Sequence, residues 1–444
     1  MGHLLELHGI TDQRKSQNYP SVSVYIRGAI TSNLLVSTEV ISENADSTLL
    51  HGSDRIRPPF TTDSRNHTRD LDLFPSECNV LYVAYPLAPV NDESCGGAEQ
   101  MLFALEREMA RRGAVTTVAA CAGSRASGRL VGTGAVAIDF DQLAQRDAEH
   151  NARVLELAAE DDSIHLIHDQ GGRFWTQAAT LDIPVLATLH LPRAFYPPEI
   201  FDDVPENVFF NCVSASQLES FRDLPQTLGS VRNGVALELF PETARKRDYL
   251  LWLGRICEEK GVHLALEAAE LAGLPLVVVG PSYMYSRDHE YFETEVAPRL
   301  ERNTAFSFVG SPTFRQKVAL LRRACGLLVT STVEETSSLV AMEAMACGTP
   351  VIAFDRGALP EVILDGETGF IVDSTEKMAV ATKRLPEISP RACRRHVERR
   401  YSIRTTATEY ETLYQRVMEL HTSSSEALPL VGEMMNSADA GGLT

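Results

Sequence analysis

A chain of 444 residues is longer than one ordinary domain, and an apolar content of 44% is enough for real cores, which excludes a disordered protein. The 41 basic and 60 acidic residues leave a net charge of -19, the opposite of the positive excess by which a general binder of nucleic acid or anionic membrane works. Phosphate recognition in such a chain has to be local, by a few aimed groups.

The eight cysteines (Cys78, Cys95, Cys121, Cys212, Cys257, Cys325, Cys347 and Cys393) show no Cys-x-x-Cys and no metal-ligand spacing. That distribution predicts free thiols in a reducing compartment rather than a disulfide framework. No basic flank followed by an apolar core opens the chain, and no apolar run approaches the length of a membrane span. The expected location is the cytoplasm.

Residues 1–77 have weak periodicity and polar clusters such as "TTDSRNHTRD", and are expected to form a poorly ordered extension. From residue 78 the pattern alternates. "NVLYVAYPL" is an apolar, β-rich run, followed by a loop with Gly96 and Gly97. A helix comes next, with Met101, Leu102, Leu105 and Met109 at helical spacing and Gly113 as its stop. "VTTVAA", "IHLIH", "VLATLH" and "NVFFNCVS" are the next strands.

Proline and charge break the pattern at residues 237–248, and the alternation then restarts. The order is strand "YLLWLG", a helix over 262–272, strands "LPLVVVG" and "AFSFVG", a helix over 314–324, and strands "GLLVTS", "VIAF" and "GFIV". Strands alternating with helices of this length imply parallel sheets covered on both faces. Two such runs predict two doubly wound domains, over 78–237 and 248–400, with a cleft where the strand C-termini face each other. A helix over 401–420 and a flexible tail over 421–444 complete the expected organisation.

Two stretches at strand ends carry chemistry. In "LGRICEEKG", Arg255 and Lys260 lie where a doubly wound sheet binds ligands, and a planar guanidinium with a movable ammonium suits a diphosphate. The alternative is that both are exposed residues pairing with Glu258 and Glu259. In "EETSSLVAMEAMACGTPVIAF", a helix from about Leu339 to Ala346 has Ser337 or Ser338 as its N-cap and Gly348 as its stop. Its first amides would form an anion or sugar-oxygen site.

Glu335 precedes that helix and can accept hydrogen bonds from sugar hydroxyls. Glu343, one turn deeper in an otherwise apolar segment, can take a ribose cis-diol. The plainer alternative sets Glu335 on the helix dipole and pairs Glu343 with a surface arginine, which leaves the charge of Glu343 in "LVAMEAMA" without a reason. Binding of a nucleotide-diphosphate sugar accounts for both carboxylates.

The spacing of Glu335 and Glu343 within "EETSSLVAMEAMACGTPVIAFDRGALPEVILDGETGFIV" resembles the signature of family 4 retaining glycosyltransferases of the GT-B fold. "GRICEEKG" resembles that family's Gly-Arg-x4-Lys-Gly element, "VRNGV" its interdomain Asn-Gly-Val, and "CGGAEQ" its N-terminal Gly-Gly loop. The resemblance runs from roughly Val80 to Glu419. It implies an α/β chain of two Rossmann-like domains whose parallel sheets face a cleft.

The resemblance further implies that Glu335 binds hydroxyls of the donor sugar and that Glu343 binds the ribose. Arg255 and Lys260 would hold the diphosphate, and the amides of Ser338, Leu339 and Val340 would add donors. Gly96 and Gly97 would let the first domain approach the diphosphate or the acceptor, having no side chain to clash. Asn233 would be a donor-side contact, with an ordinary turn at Asn233–Gly234 as the alternative. His190 ends "VLATLH" where the family often places a histidine beside the reacting sugar, but Leu191–Pro192 follow instead of the usual aspartate, so a structural histidine is the competing reading. Ser338 stands where many members have glycine, and Glu361 reads as a helix-start carboxylate.

The implied reaction moves a hexose from a nucleotide-diphosphate sugar, UDP-linked or GDP-linked, to an unidentified acceptor with retention, and needs no cofactor besides the donor. No Asp-x-Asp triplet ends a strand in the motif region, and Arg255 and Lys260 would stabilise the leaving group without a metal. A sugar-nucleotide epimerase and a non-catalytic sugar-nucleotide binder share the fold and are the rival readings. No nucleic-acid partner is expected, and neither the acceptor nor the oligomeric state is legible.

Overall fold

The computed structural model describes residues 78–86, 88–94, 96–136, 140–281 and 286–427. The expected extension over 1–77, the end of the first strand run at Leu87, Cys95 of the Gly-Gly loop and tail residues 428–444 lie outside the described residues.

The first domain is a seven-stranded sheet in the order β3-β2-β1-β4-β5-β6-β7, parallel throughout. Its strands are β1 (Asn79–Val83), β2 (Val115–Ala120), β3 (Arg129–Gly132), β4 (Leu166–Asp169), β5 (Val185–Leu189), β6 (Val208–Cys212) and β7 (Thr227–Ser230). Strands β1, β4, β5 and β6 are buried at every position, as continuous apolar runs covered on both faces must be. Two strands were not visible as apolar runs. β3 has three exposed positions of four, and β7 reads Thr-Leu-Gly-Ser, half-buried throughout. Both lie at sheet edges, where burial imposes no pattern.

The second sheet has the order β10-β9-β8-β11-β12-β13, again parallel. It is built from β8 (Leu250–Leu253), β9 (Leu276–Val279), β10 (Phe306–Val309), β11 (Gly326–Val329), β12 (Val351–Phe354) and β13 (Gly369–Val372). In both sheets the strand order reverses beside the first strand, between β1 and β4 and between β8 and β11. Crevices at such switch points, outside the strand C-termini, are where doubly wound sheets bind ligands.

The α-helices among the described residues are α1 (Gly97–Arg111), α2 (Phe140–Glu160), α3 (Ala215–Ser220), α4 (Val262–Ala272), α5 (Ser286–Tyr291), α6 (Ala297–Arg302), α7 (Phe314–Arg323), α8 (Leu339–Ala346), α9 (Leu359–Val362), α10 (Thr375–Thr382), α11 (Pro390–Arg400) and α12 (Ile403–Ala427). Helix α12 follows the second domain but belongs to the core of the first: Tyr410, Tyr414 and Val417 pack with Val80 and Tyr82 of β1 and with Met101 and Leu105 of α1. The crossing is pinned where Val235 N donates to Tyr401 O at 2.8 Å and Ile403 N donates to Val235 O at 3.0 Å. The helix continues to Ala427, past the tail boundary expected at 421, and Leu420 packs against that core. Among the described residues no helix is long and apolar enough to cross a membrane.

The C-terminal edges of the two sheets meet across a seam. Thr336, after β11, donates through Oγ1 to the carbonyl of His190, after β5, at 2.8 Å. Glu361 of α9 accepts from the amides of Ala215 at 3.0 Å and Ser216 at 2.6 Å, so a carboxylate of one domain satisfies the start of α3 in the other. The helix-start role expected of Glu361 thus falls on a helix of the opposite domain.

Candidate active site

The loop after β8 and the loop after β11, the two flanks of the second switch point, bring Lys260 and Glu335 together. Lys260 Nζ lies 2.5 Å from Glu335 Oε1, and the Ser331 hydroxyl bonds the same oxygen. Arg255 pairs with Glu259 Oε1 at 2.7 Å, the local pairing that sequence alone left open for both cations. Lys260 instead reaches 75 positions along the chain.

Two glycines hold these loops in place. Gly261 adopts φ +64°, and a Cβ there would lie 2.2 Å from Thr330 O. Thr330 Oγ1 in turn donates to Gly261 O at 2.8 Å, which ties the Arg255–Lys260 loop to the end of β11. Gly357 adopts φ +54°, and a Cβ there would lie 2.3 Å from Glu335 O, the carbonyl that accepts from Ala358 N at 2.7 Å. Any side chain at 357 therefore pushes on the backbone that carries Glu335.

Ser338 is the N-cap of α8, and no side chain caps the helix. The amides of the first turn, at Leu339 and Val340, have no acceptor within the helix, as at any helix start. The Ser337 hydroxyl is buried with no partner among the described residues.

Glu343 is 3% exposed, and its partner is not a surface arginine but Lys317 of α7, with Nζ 2.7 Å from Oε1. The Lys317 ammonium also lies 5.6 and 5.2 Å from the ring centres of Phe240 and Phe314. Sequence reasoning missed Lys317, because a lysine in an amphipathic helix reads as solvated; only the sheet order brings α7 beside α8. No partner for the second oxygen of Glu343 is present among the described residues, which leaves it able to accept from a hydroxyl.

On the first domain's side, Gly97 opens α1, and a Cβ there would stand 3.7 Å from Leu339 Cδ1, so the Gly-Gly loop does face the start of α8. Gly96 has a different use. A Cβ there would overlap the carboxylate of Glu99, which curls over the start of α1, is buried, and is shifted upward by that burial. The space at Gly96 is taken by the chain's own acid.

Asn233 lies in the crossing between the domains: the neighbouring Gly234 N reaches Met101 Sδ at 3.4 Å, and Asn233 Oδ1 is buried without a partner among the described residues. His190 hydrogen-bonds Gln170 through Nε2 at 2.6 Å, and burial pushes its pKa down to about 4. A cavity of about 330 Å³ opens on the loops that follow β4 and β5, lined by Asp147, Asn151, Arg173, Gln177, Glu199 and Ile200. Asn151 is 3% exposed, and burial raises the Asp147 carboxyl.

Three histidines set an acid limit on the first domain. Burial holds His150 and His190 near 4 and His168 well below 6.5, so the folded chain refuses protons that the unfolded chain accepts below 6.5. Stability is therefore fully present above 6.5 and is lost as the pH falls from there toward 4. Urea midpoints measured from pH 7 to pH 5 should fall steadily; a flat series would show that these rings titrate normally.

Residues 238–389 match the family model of glycosyl transferases group 1, and every second-domain site residue, Arg255 through Gly357, lies inside that span. Lipopolysaccharide 1,2-N-acetylglucosaminetransferase of Salmonella typhimurium is 28% identical over 236 residues, 48% of this chain and 60% of that protein. D-inositol 3-phosphate glycosyltransferase of Rhodococcus erythropolis is 34% identical over 164 residues, 33% of this chain and 36% of that protein. The chain thus spans less than two thirds of these curated relatives.

Among solved structures, sucrose-phosphate synthase of Thermosynechococcus elongatus superposes with a TM-score of 0.66 at 20% identity, covering 77% of this chain and 99% of that one. HepE of Anabaena, in complex with UDP and glucose, does so with a TM-score of 0.59 at 17% identity, covering 75% and 98%. The fold is the GT-B arrangement of two facing Rossmann-like domains.

Proposed function

We propose that this chain, which carries a glycosyl transferases group 1 domain over 238–389, is a retaining, metal-independent glycosyltransferase that moves a hexose from a nucleotide-diphosphate sugar to a polyhydroxylated acceptor. One observation carries the reading. Lys260 and Glu335 meet at the switch point of the second sheet, so a cation for a diphosphate and a carboxylate for sugar hydroxyls are set side by side. UDP is favoured over GDP because HepE, of the same fold, is seen with UDP and glucose. The group 1 domain also supports assignment to family 4.

In the reaction, the bond between the sugar's anomeric carbon and the diphosphate oxygen breaks, and the departing nucleoside diphosphate gathers negative charge. Lys260, Arg255 and the α8 amides are donors already in place for that charge. Glu335 accepts from the sugar, and the second oxygen of Glu343 accepts from the ribose. The acceptor hydroxyl forms the new bond on the face the diphosphate leaves, and its proton passes to a phosphate oxygen of the leaving group. Closure of the two domains on the donor excludes water.

The acceptor sits over the first domain, where the cavity beside β4 and β5 offers Asn151, Asp147 and Arg173 to hydroxyl groups. All seven described cysteines are free, which suits a reducing cytoplasm.

Thermal unfolding with UDP, GDP and ADP and their sugar conjugates tests the donor site. A ligand at about a hundred times its dissociation constant stabilises by about 2.7 kcal/mol, a rise of several degrees. The expected result is a rise with one base that is lost in Glu343→Ala. No rise with any nucleotide would remove the donor site from the seam. Conversion of the donor without an acceptor would favour an epimerase, and binding without turnover a sensor.

A further inference from the structure

A run of hydrogen bonds leads from His190 into the interior of the first domain. His190 Nε2 lies 2.6 Å from Gln170 Oε1, and Gln170 Nε2 lies 2.9 Å from His168 Nε2. His168 Nδ1 lies 2.6 Å from Tyr414 Oη, and the Tyr414 hydroxyl donates to Tyr82 Oη at 3.3 Å. Gln170, His168, Tyr414 and Tyr82 are all buried, and α12 supplies the tyrosine at the far end.

The chemistry of each group orders the protons. An amide oxygen only accepts, so the His190 nitrogen facing it carries the hydrogen. An amide nitrogen only donates, and Gln170 Nε2 faces the Tyr410 hydroxyl as well as His168 Nε2. His168 Nε2 also lies 2.7 Å from Thr188 Oγ1, whose own proton goes to Asn211 Oδ1 at 2.8 Å. With both ends of its amide engaged, Gln170 cannot turn over without breaking a hydrogen bond at each end.

We propose that Gln170 is a positioning residue for the transfer reaction, holding His190 as the neutral tautomer with its proton on Nε2 and a bare Nδ1 that can only accept. This rests on the reading that His190 stands beside the reacting sugar. A bare Nδ1 takes a hydrogen bond from a sugar or acceptor hydroxyl, and it adds no positive charge beside an oxocarbenium-like centre.

The groups around His190 agree with a neutral ring. They are His168 on β4, Tyr196 on the loop after β5, whose hydroxyl accepts from Leu191 N at 3.3 Å, and Thr336 of the second domain, which donates to the His190 carbonyl. Burial is what lowers the His190 pKa to about 4, with no neighbouring carboxylate opposing it.

The test is long-range nitrogen–proton NMR of the full chain labelled in its histidine rings, with His190→Asn assigning the signals. The expected wild-type result is a protonated Nε2, a bare Nδ1 and no titration between pH 5 and 8. Gln170→Glu puts a carboxylate on Nε2 and should lift the titration into that window. The pH profile of its kcat should then gain an acid limb, rising with pH through the new pKa, while KM for the donor stays within about twofold. A wild-type His190 protonated on Nδ1, or a Gln170→Glu protein titrating like the wild type, would overturn the proposal. If Gln170→Glu does not fold, the wild-type tautomer decides alone. A wild-type protein that transfers no sugar but shows the Nε2 proton would sink the transferase reading and leave the tautomer assignment standing.

Discussion

Replacing Lys260 with alanine lowers kcat by about 10²–10³-fold while the nucleotide still binds, because its ammonium is aimed at charge that appears only as the diphosphate departs. The structure gives this lysine a defined position. Gly261 bends the chain behind it, Thr330 ties that bend to the end of β11, and the Glu335 carboxylate holds Nζ at 2.5 Å. Lys260→Arg should recover little, since a guanidinium fork cannot occupy the place of a point charge against Glu335 and Ser331. Initial rates and dissociation constants measured on the same preparations separate the two effects. A loss confined to donor affinity, with kcat intact, would mean that Lys260 only binds.

Lys317→Met destabilises the second domain by about 3–5 kcal/mol, because it strands the Glu343 carboxylate in the interior without its cation. The Glu343 side chain is 4% exposed and that of Lys317 15%, so water replaces the lost partner poorly. For a domain of this size the loss corresponds to roughly 10 °C in Tm. Glu343→Leu made alone leaves the ammonium between Phe240 and Phe314, a milder defect, and the double variant should regain most of the stability. The cycle is read from thermal melts of the four proteins. A Lys317→Met protein melting like the wild type would show the pair to be solvated, and the ribose site would then have no preset carboxylate.

The parts of the fold that sequence made legible are those where burial imposes a pattern. β1, β4, β5 and β6 are apolar runs because both their faces are covered, and the start of α4 and the end of α8 were marked by Gly261 and Gly348. The edge strands β3 and β7 were not legible, since a half-exposed Thr-Leu-Gly-Ser carries no period.

The site divides the same way. Arg255, Lys260, Glu335 and Glu343 stand at strand ends or in an apolar helix, where a charge calls for a reason. Lys317 and Gln170 depend on which elements become neighbours, and local spacing does not encode that. The Lys317–Glu343 pair joins α7 to α8 across β11, and Gln170 matters only because the chain after β4 lies beside the chain after β5.

The most direct test of glycosyl transfer is the release of nucleoside diphosphate from the donor that stabilises the protein, followed over time with a panel of polyols and sugar phosphates. The account predicts release that at least one acceptor accelerates, with a glycosylated product keeping the donor's anomeric configuration, and near-complete loss of release in Lys260→Ala. A donor that binds at the seam and is never cleaved, or one that is isomerised with no acceptor present, would contradict it.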